Sequence, residues 1–130
     1  MFSHVTLGIA DLTRARAFYT PLMELLGLRL RFDSDEEGWI GWQPNEGGRP
    51  LFIVTRPFDG RAPAHSNGAM VAFMAADRAA VDAAHRHALA HGSTDEGAPG
   101  LRPHYHPDYY AAYFRDPDGN KLCVVCHAPV

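Results

Sequence analysis

Polar and apolar positions alternate at the start of the chain and again past its middle. In "HVTLGIAD", Val5, Leu7 and Ile9 fall on one side and His4, Thr6 and Gly8 on the other, the pattern of a strand with one core face. Asp11 follows as a helix N-cap, and Leu12, Ala15, Phe18, Tyr19 and Leu22 recur at helical spacing. Pro21 lies inside that pattern and predicts a kink or restart, while Gly27 ends the helix. Alternation then predicts three short strands, roughly Leu28–Asp33, Gly38–Trp42 and Pro50–Thr55. The last two are joined by a turn at "NEGG".

The stretch "RPFDGRAPAHSN" is rich in Pro, Gly and Ser and reads as a linker. Beyond it the first pattern returns. "GAMVAFMAAD" is a strand, Asp77 a cap, and Ala80, Val81, Ala84 and Ala88 one side of a helix that Gly92 ends. "EGAPGLRPHYHPD" predicts irregular chain, "YYAAYFR" a strand, "DPDG" a tight turn and "NKLCVVCH" a closing strand. "HVTLGIAD" aligns with "MVAFMAAD", so that Val5 falls on Val71, Asp11 on Asp77 and His4 on Met70. The chain therefore reads as one α+β domain over residues 1–130. It holds two half-units, about 1–55 and 67–127, with a linker at 56–66.

The length suits one domain with a real core, and 46% apolar with 21% charged residues excludes a disordered chain. A formal net charge of −3 without a basic run argues against nucleic acid as a partner. No apolar run spans a membrane, and the N-terminus lacks the segments of a signal peptide, so we expect a cytoplasmic protein. Both cysteines are then expected to be reduced thiols. Cys123 and Cys126 stand three apart in a predicted strand and point to opposite faces, so they form neither a zinc pair nor a disulfide. Cys126 shares its face with Leu122 and Val124, and Cys123 with Lys121 and Val125.

A His-led strand running into "AD", an Arg- and Ala-rich helix with "FY", a second such unit and a final "DPDGN" hairpin resemble the vicinal oxygen chelate superfamily. That superfamily includes glyoxalase I, extradiol dioxygenases and bleomycin-resistance proteins. The stretch "GLRPHYHPDYYAAYFRDPDGN" is similar to small bacterial glyoxalase-like proteins. The resemblance implies paired βαβββ units whose strands form a half-open curved sheet around a cleft, and a homodimer. It also implies metal ligands on the first and last strand of each half. Those positions carry His4, Met70, Cys123 and about Phe52, of which His4 alone is a usual donor. No metal or other cofactor is therefore expected. The exception would be zinc held by His4 and Cys123 with His104 or His106 as a third ligand.

The candidate chemistry follows. His4, His104 and His106 are candidate acid/base residues, because imidazole exchanges protons near neutrality. Pro103 and Pro107 bias "RPHYHPD" toward an extended course that puts His104 and His106 on one side. Phe52, Arg56, Met70, Arg102, Tyr105, Tyr110 and Cys123 are candidate substrate contacts, the arginines as carboxylate clamps and the aromatics as stacking surfaces. Trp39 and Trp42 should point apart, one of them into the cleft. His85, His87 and His91 read as solvated helix residues. The function expected is a glyoxalase-like protein that acts on or binds a small molecule without the usual metal. Two alternatives stand beside it: a non-catalytic protein that sequesters a drug or metabolite, and a metal-dependent lyase or isomerase such as lactoylglutathione lyase.

Overall fold

The computed structural model describes residues 1–130. The first half holds β1 (His4–Gly8), α1 (Leu12–Leu25), β2 (Leu28–Ser34), β3 (Trp39–Pro44) and β4 (Leu51–Thr55). The second holds β5 (Val71–Met74), α2 (Arg78–Ala90), β6 (Thr94–Leu101), β7 (Tyr110–Arg115) and β8 (Lys121–Cys126). Each half makes one four-stranded mixed sheet, in the orders β1-β4-β3-β2 and β5-β8-β7-β6. The first and last strands pair in parallel and the others antiparallel, so the two sheets repeat one topology. This is the paired βαβββ arrangement of an α+β fold, and neither sheet closes into a barrel. No helix is long and apolar enough to cross a membrane.

Both helices begin where the sequence places their caps. The Asp11 carboxylate accepts from the Arg14 N–H at 3.1 Å, and the Asp77 carboxylate from the Ala80 N–H at 2.8 Å. Gly27 follows α1 at φ 76°, a conformation that favours glycine. Pro21 does not restart α1, which runs unbroken from Leu12 to Leu25. The carbonyl that Pro21 leaves without a donor belongs to Ala17, and both residues are exposed, so water can bond it.

Three further expectations are corrected. Residues 96–101 of the stretch expected to be irregular belong to β6 (Thr94–Leu101), which is bonded to β7 across two register shifts. Gly97, Pro99 and Gly100 disguise it, and as the outer strand of its sheet it tolerates a residue without an N–H. His85 and His87 are not solvated. His85 is buried with Nε2 3.0 Å from an Asp95 carboxylate oxygen, and it holds the Asp95 carboxyl below its ordinary range. His87 places Nε2 2.7 Å from the Phe18 carbonyl of α1, which accepts from the ring N–H and links the helices.

The helix-facing sides of both sheets merge with α1 and α2 into one core of 21 buried residues, which includes Phe18, Trp42, Phe52, Phe73, Phe114 and Cys126. Phe52 meets Phe73 edge to face at 4.9 Å across the two halves. A polar latch lies beside it. Asp116 is buried, accepts from the Tyr19 hydroxyl at 2.5 Å and from the Asn120 side-chain amide at 2.9 Å. The backbone N–H groups of Asp118 and Asn120 donate to its other oxygen at 2.9 Å each. Asn120 also donates to the Gly8 carbonyl at the end of β1.

Tyr19→Phe removes one donor from this buried carboxylate and leaves the ring packing intact. We expect a loss of about 1–3 kcal/mol in stability, measured by urea unfolding. A change below about 0.5 kcal/mol would show that the latch is energetically idle.

Candidate functional site

Residues on the outer faces, away from the core, can meet a ligand. On the first sheet, His4 pairs in register with Leu51 and Thr6 with Ile53, and Trp39 stands opposite Thr55. A hollow of about 900 Å³ lies beneath the linker, with His4, Thr6, Trp39, Ile53, Thr55, Arg56 and Phe58 among its walls. His4 is exposed, with Nδ1 2.9 Å from the Ser3 hydroxyl and its other ring nitrogen unbonded within the chain. The two tryptophans do point apart. Trp42 is in the core and Trp39 is 40% exposed on the hollow. Gly41 leaves room for the Phe32 ring, since a Cβ there would lie 2.3 Å from it. Arg56 spends a guanidinium N–H on the Asp35 carbonyl at 2.8 Å.

The second outer face is built differently. A hollow of about 470 Å³ is bordered by Met70, Tyr105, Tyr109, Tyr113, Arg115 and Lys121. Cys123 lies beneath it, fully buried with Ala111 and Val125 under Tyr109 and Tyr113. The two phenol oxygens are 3.0 Å apart, and the Tyr109 oxygen is 3.9 Å from the Cys123 Sγ. Burial pushes the Cys123 thiol up, and it also raises the Tyr109 and Tyr113 phenols.

The sequence candidates are thus divided. His4 and Arg56 border the first hollow; Met70 and Tyr105 border the second. Phe52 borders neither. It pairs with Val5 on the core face, one position out of step with His4, and stacks on Trp42. Tyr110 is likewise on the helix side, where its hydroxyl donates to Asp82 at 2.6 Å. Tyr109 and Tyr113, its odd-numbered neighbours, occupy the outer face instead. Arg102 is no free clamp, because it donates to the Gly100 and Ala98 carbonyls. His104 is exposed and stacks at 4.2 Å on Tyr105. His106 places Nε2 2.9 Å from the His127 Nδ1. Neither borders the hollow that holds His4.

The comparisons with known proteins bear on this arrangement. The family model described as glyoxalase/bleomycin resistance protein/dioxygenase superfamily matches residues 1–124. The chain belongs to this superfamily. A glyoxalase/bleomycin resistance protein from Albidiferax ferrireducens T118 is 35% identical and superposes with a TM-score of 0.85, covering 97% of this chain and 98% of that one. A glyoxalase-related enzyme from Fulvimarina pelagi shares the fold at 19% identity and TM-score 0.71, covering 97% and 87%. So does a lactoylglutathione lyase from Agrobacterium tumefaciens at 21% identity and TM-score 0.63, covering 97% and 92%. A comparison with curated proteins gives no match.

The metal that such a fold implies has a poor set of donors here. His4 is one imidazole, Met70 a thioether, and Cys123 a covered thiol. Phe52 faces the core, and the outward neighbours Leu51 and Ile53 carry no donor. No three His, Cys, Asp or Glu side chains converge anywhere in the chain. These residues do not fit a divalent ion.

Both thiols are free and buried. We expect neither to react with a thiol reagent until the protein unfolds. The double variant Tyr109→Ala/Tyr113→Ala should expose Cys123 alone, so that one native thiol reacts. Two reactive thiols in the unaltered protein would contradict the burial.

Proposed function

We propose that this superfamily member binds a small molecule in the His4 hollow and acts on it by proton transfer, without a metal at the inherited positions. The supporting observation is the exposed His4 imidazole with one ring nitrogen unbonded, set in a hollow with an indole, two threonine hydroxyls, two guanidinium groups and two carboxylates. An imidazole so placed can take or give a proton at a bound substrate. Ser3, bonded to Nδ1, would fix the ring's orientation. Trp39 and Phe58 supply faces for a planar or apolar ligand, and Thr6 and Thr55 supply hydroxyls to orient its polar end.

The second reading is a non-catalytic protein that sequesters a drug or metabolite. The fully exposed Phe58 and half-exposed Trp39 favour it, since they offer grip without chemistry. A metabolite panel read by Trp39 fluorescence finds ligands, because Trp42 is out of reach in the core. For a ligand that is turned over, His4→Gln should cut the rate at least about a hundredfold and shift binding less than about threefold. Tight binding without turnover by either protein supports sequestration. Metal analysis after dialysis without chelator is expected to find less than one tenth of an equivalent of zinc, nickel, manganese or iron. One full equivalent, lost in His4→Ala, would restore the metal-dependent lyase reading.

We further propose that two copies associate in a reducing, cytoplasmic setting, consistent with the two free thiols. Strands β1 and β5 are sheet edges, and beside them Phe2 and Met74 are 62% and 74% exposed. Sedimentation should give twice the 14.3 kDa chain mass, and Met74→Glu should shift it toward the monomer. A single-chain mass at micromolar concentration would rule the association out.

A further inference from the structure

We propose that His87 and His91, at the C-terminal end of α2, chelate a divalent transition-metal ion of the zinc or nickel class. The pair lies on the helix side of the protein, away from both outer faces, and the inference does not depend on the reading of the His4 hollow. Its first support is spacing. Residues four apart stand one above the other on a helix, and these two rings lie with centroids 4.1 Å apart and planes inclined by 30°. His87 is half-buried against α1, and His91 is exposed at the cap of α2. Zinc–imidazole bonds of about 2.0–2.1 Å suit such neighbours, and the exposed His91 ring is free to turn and close the chelate. The end of the helix adds a favourable field, because its last carbonyls carry partial negative charge that attracts a cation.

The second support is the tautomers, which the hydrogen bonds fix. A carbonyl oxygen only accepts. His87 Nε2, 2.7 Å from the Phe18 carbonyl, therefore carries its proton there, and the Nδ1 of the neutral ring is left as a lone pair. His91 Nδ1, 2.9 Å from the His87 carbonyl, carries its proton likewise, and Nε2 is left as a lone pair. Neither free nitrogen has a partner within the chain. Each ring thus offers one donor while its opposite N–H is held by a carbonyl, which orients an imidazole ligand and raises its basicity. The other close imidazole pair lacks this property. His106 Nδ1 accepts from the Asp108 N–H at 3.2 Å, so its proton sits on Nε2 and is donated to His127 Nδ1 at 2.9 Å. Those facing nitrogens are spent on each other, whereas His87 and His91 each keep one for an ion. Imidazole donors without a carboxylate select zinc, nickel or copper over magnesium and calcium. Two protein ligands leave the remaining positions to water, so the ion is held weakly and leaves on dialysis.

Zinc chloride is the probe and magnesium chloride the control, added to the dialysed full chain and followed by calorimetry and by the imidazole ring-proton shifts of all eight histidines. One equivalent of zinc should bind with a Kd on the order of 10 μM, and magnesium should show no saturable binding. The shifts should centre on His87 and His91. His91→Ala removes one donor and leaves the bond from His87 to Phe18 in place. It should weaken zinc at least about tenfold while the zinc-free Tm stays within about 2 °C. Saturating zinc should raise the Tm of the unaltered protein and leave that of His91→Ala unmoved. His4→Gln and His106→Gln should each keep zinc affinity within about twofold, since neither residue belongs to the chelate. Absence of saturable zinc binding at about 1 mM overturns the proposal. So does zinc binding that His91→Ala leaves unchanged, or magnesium binding of equal strength. Shifts centred on His4, or on His106 and His127, would place the ion elsewhere and also overturn it.

Discussion

The Asp116 carboxylate is the point at which the two halves are locked in register. A carboxylate taken out of water is expensive unless donors surround it, and this one has four. Two are backbone N–H groups of its own turn, one is the Asn120 side chain and one is the Tyr19 phenol of α1 in the other half. Burial pushes the carboxyl above its ordinary range despite these bonds, and Tyr19 is raised by burial beside it. Neither group can be left alone in the core, so each specifies the other's position. Asp118 extends the latch outward, accepting from the Ala10 N–H and from Arg14. The equivalent loop of the first half makes no such crossing. Asn45 donates its N–H to Gly27 within the same half, which makes the joint one-sided.

The latch has a consequence for chemistry. By holding the helix-facing sides together it turns both outer faces away from the common core. Positions equivalent by sequence then lie in different surroundings. His4 stands in an open hollow whose ionic groups are mixed, with Glu36 and Glu37 beside Arg56 and Arg61. Met70 stands at the rim of a hollow bordered by tyrosines and cations. A duplicated fold has thus produced two surfaces of different charge and polarity, and the divergence lies in side chains while the sheet order is unchanged.

Much of this was legible in the letters, and the failures have physical causes. Alternation located β1 and β5, the caps at Asp11 and Asp77 located both helices, and opposite faces were assigned correctly to Trp39 and Trp42 and to the two cysteines. Those readings need only local periodicity. Phe52 and Tyr110 were placed on the wrong face because a period of two makes a one-residue error a complete reversal. Strand β6 was hidden because its pairing with β7 passes two register shifts that no alternation can display. His85 and His87 are covered because a helix in a two-unit protein has neighbours on more than one side, which its own periodicity does not display. His87 meets the other half through the Phe18 carbonyl, a partner with no sequence signature. Alternation puts Lys121 on the Cys123 face, but that its side chain has no bonded partner is a property of the assembled surface alone.

The two thiols show how far position can differ from reactivity. Cys123 occupies a place from which superfamily relatives are expected to project a ligand; burial raises its proton affinity, against the hydrogen bonds of Tyr109 and Tyr113 and, after them, the charges of Arg102 and Lys121. Desolvation under Tyr109 and Tyr113 is the larger effect, and the thiol stays protonated. A nucleophile or metal ligand requires the thiolate, so the buried form is inert to both roles. The same rings that disable Cys123 supply the aromatic wall of the second hollow. On the first sheet no such ring covers His4, whose imidazole stands exposed at the wall of its hollow.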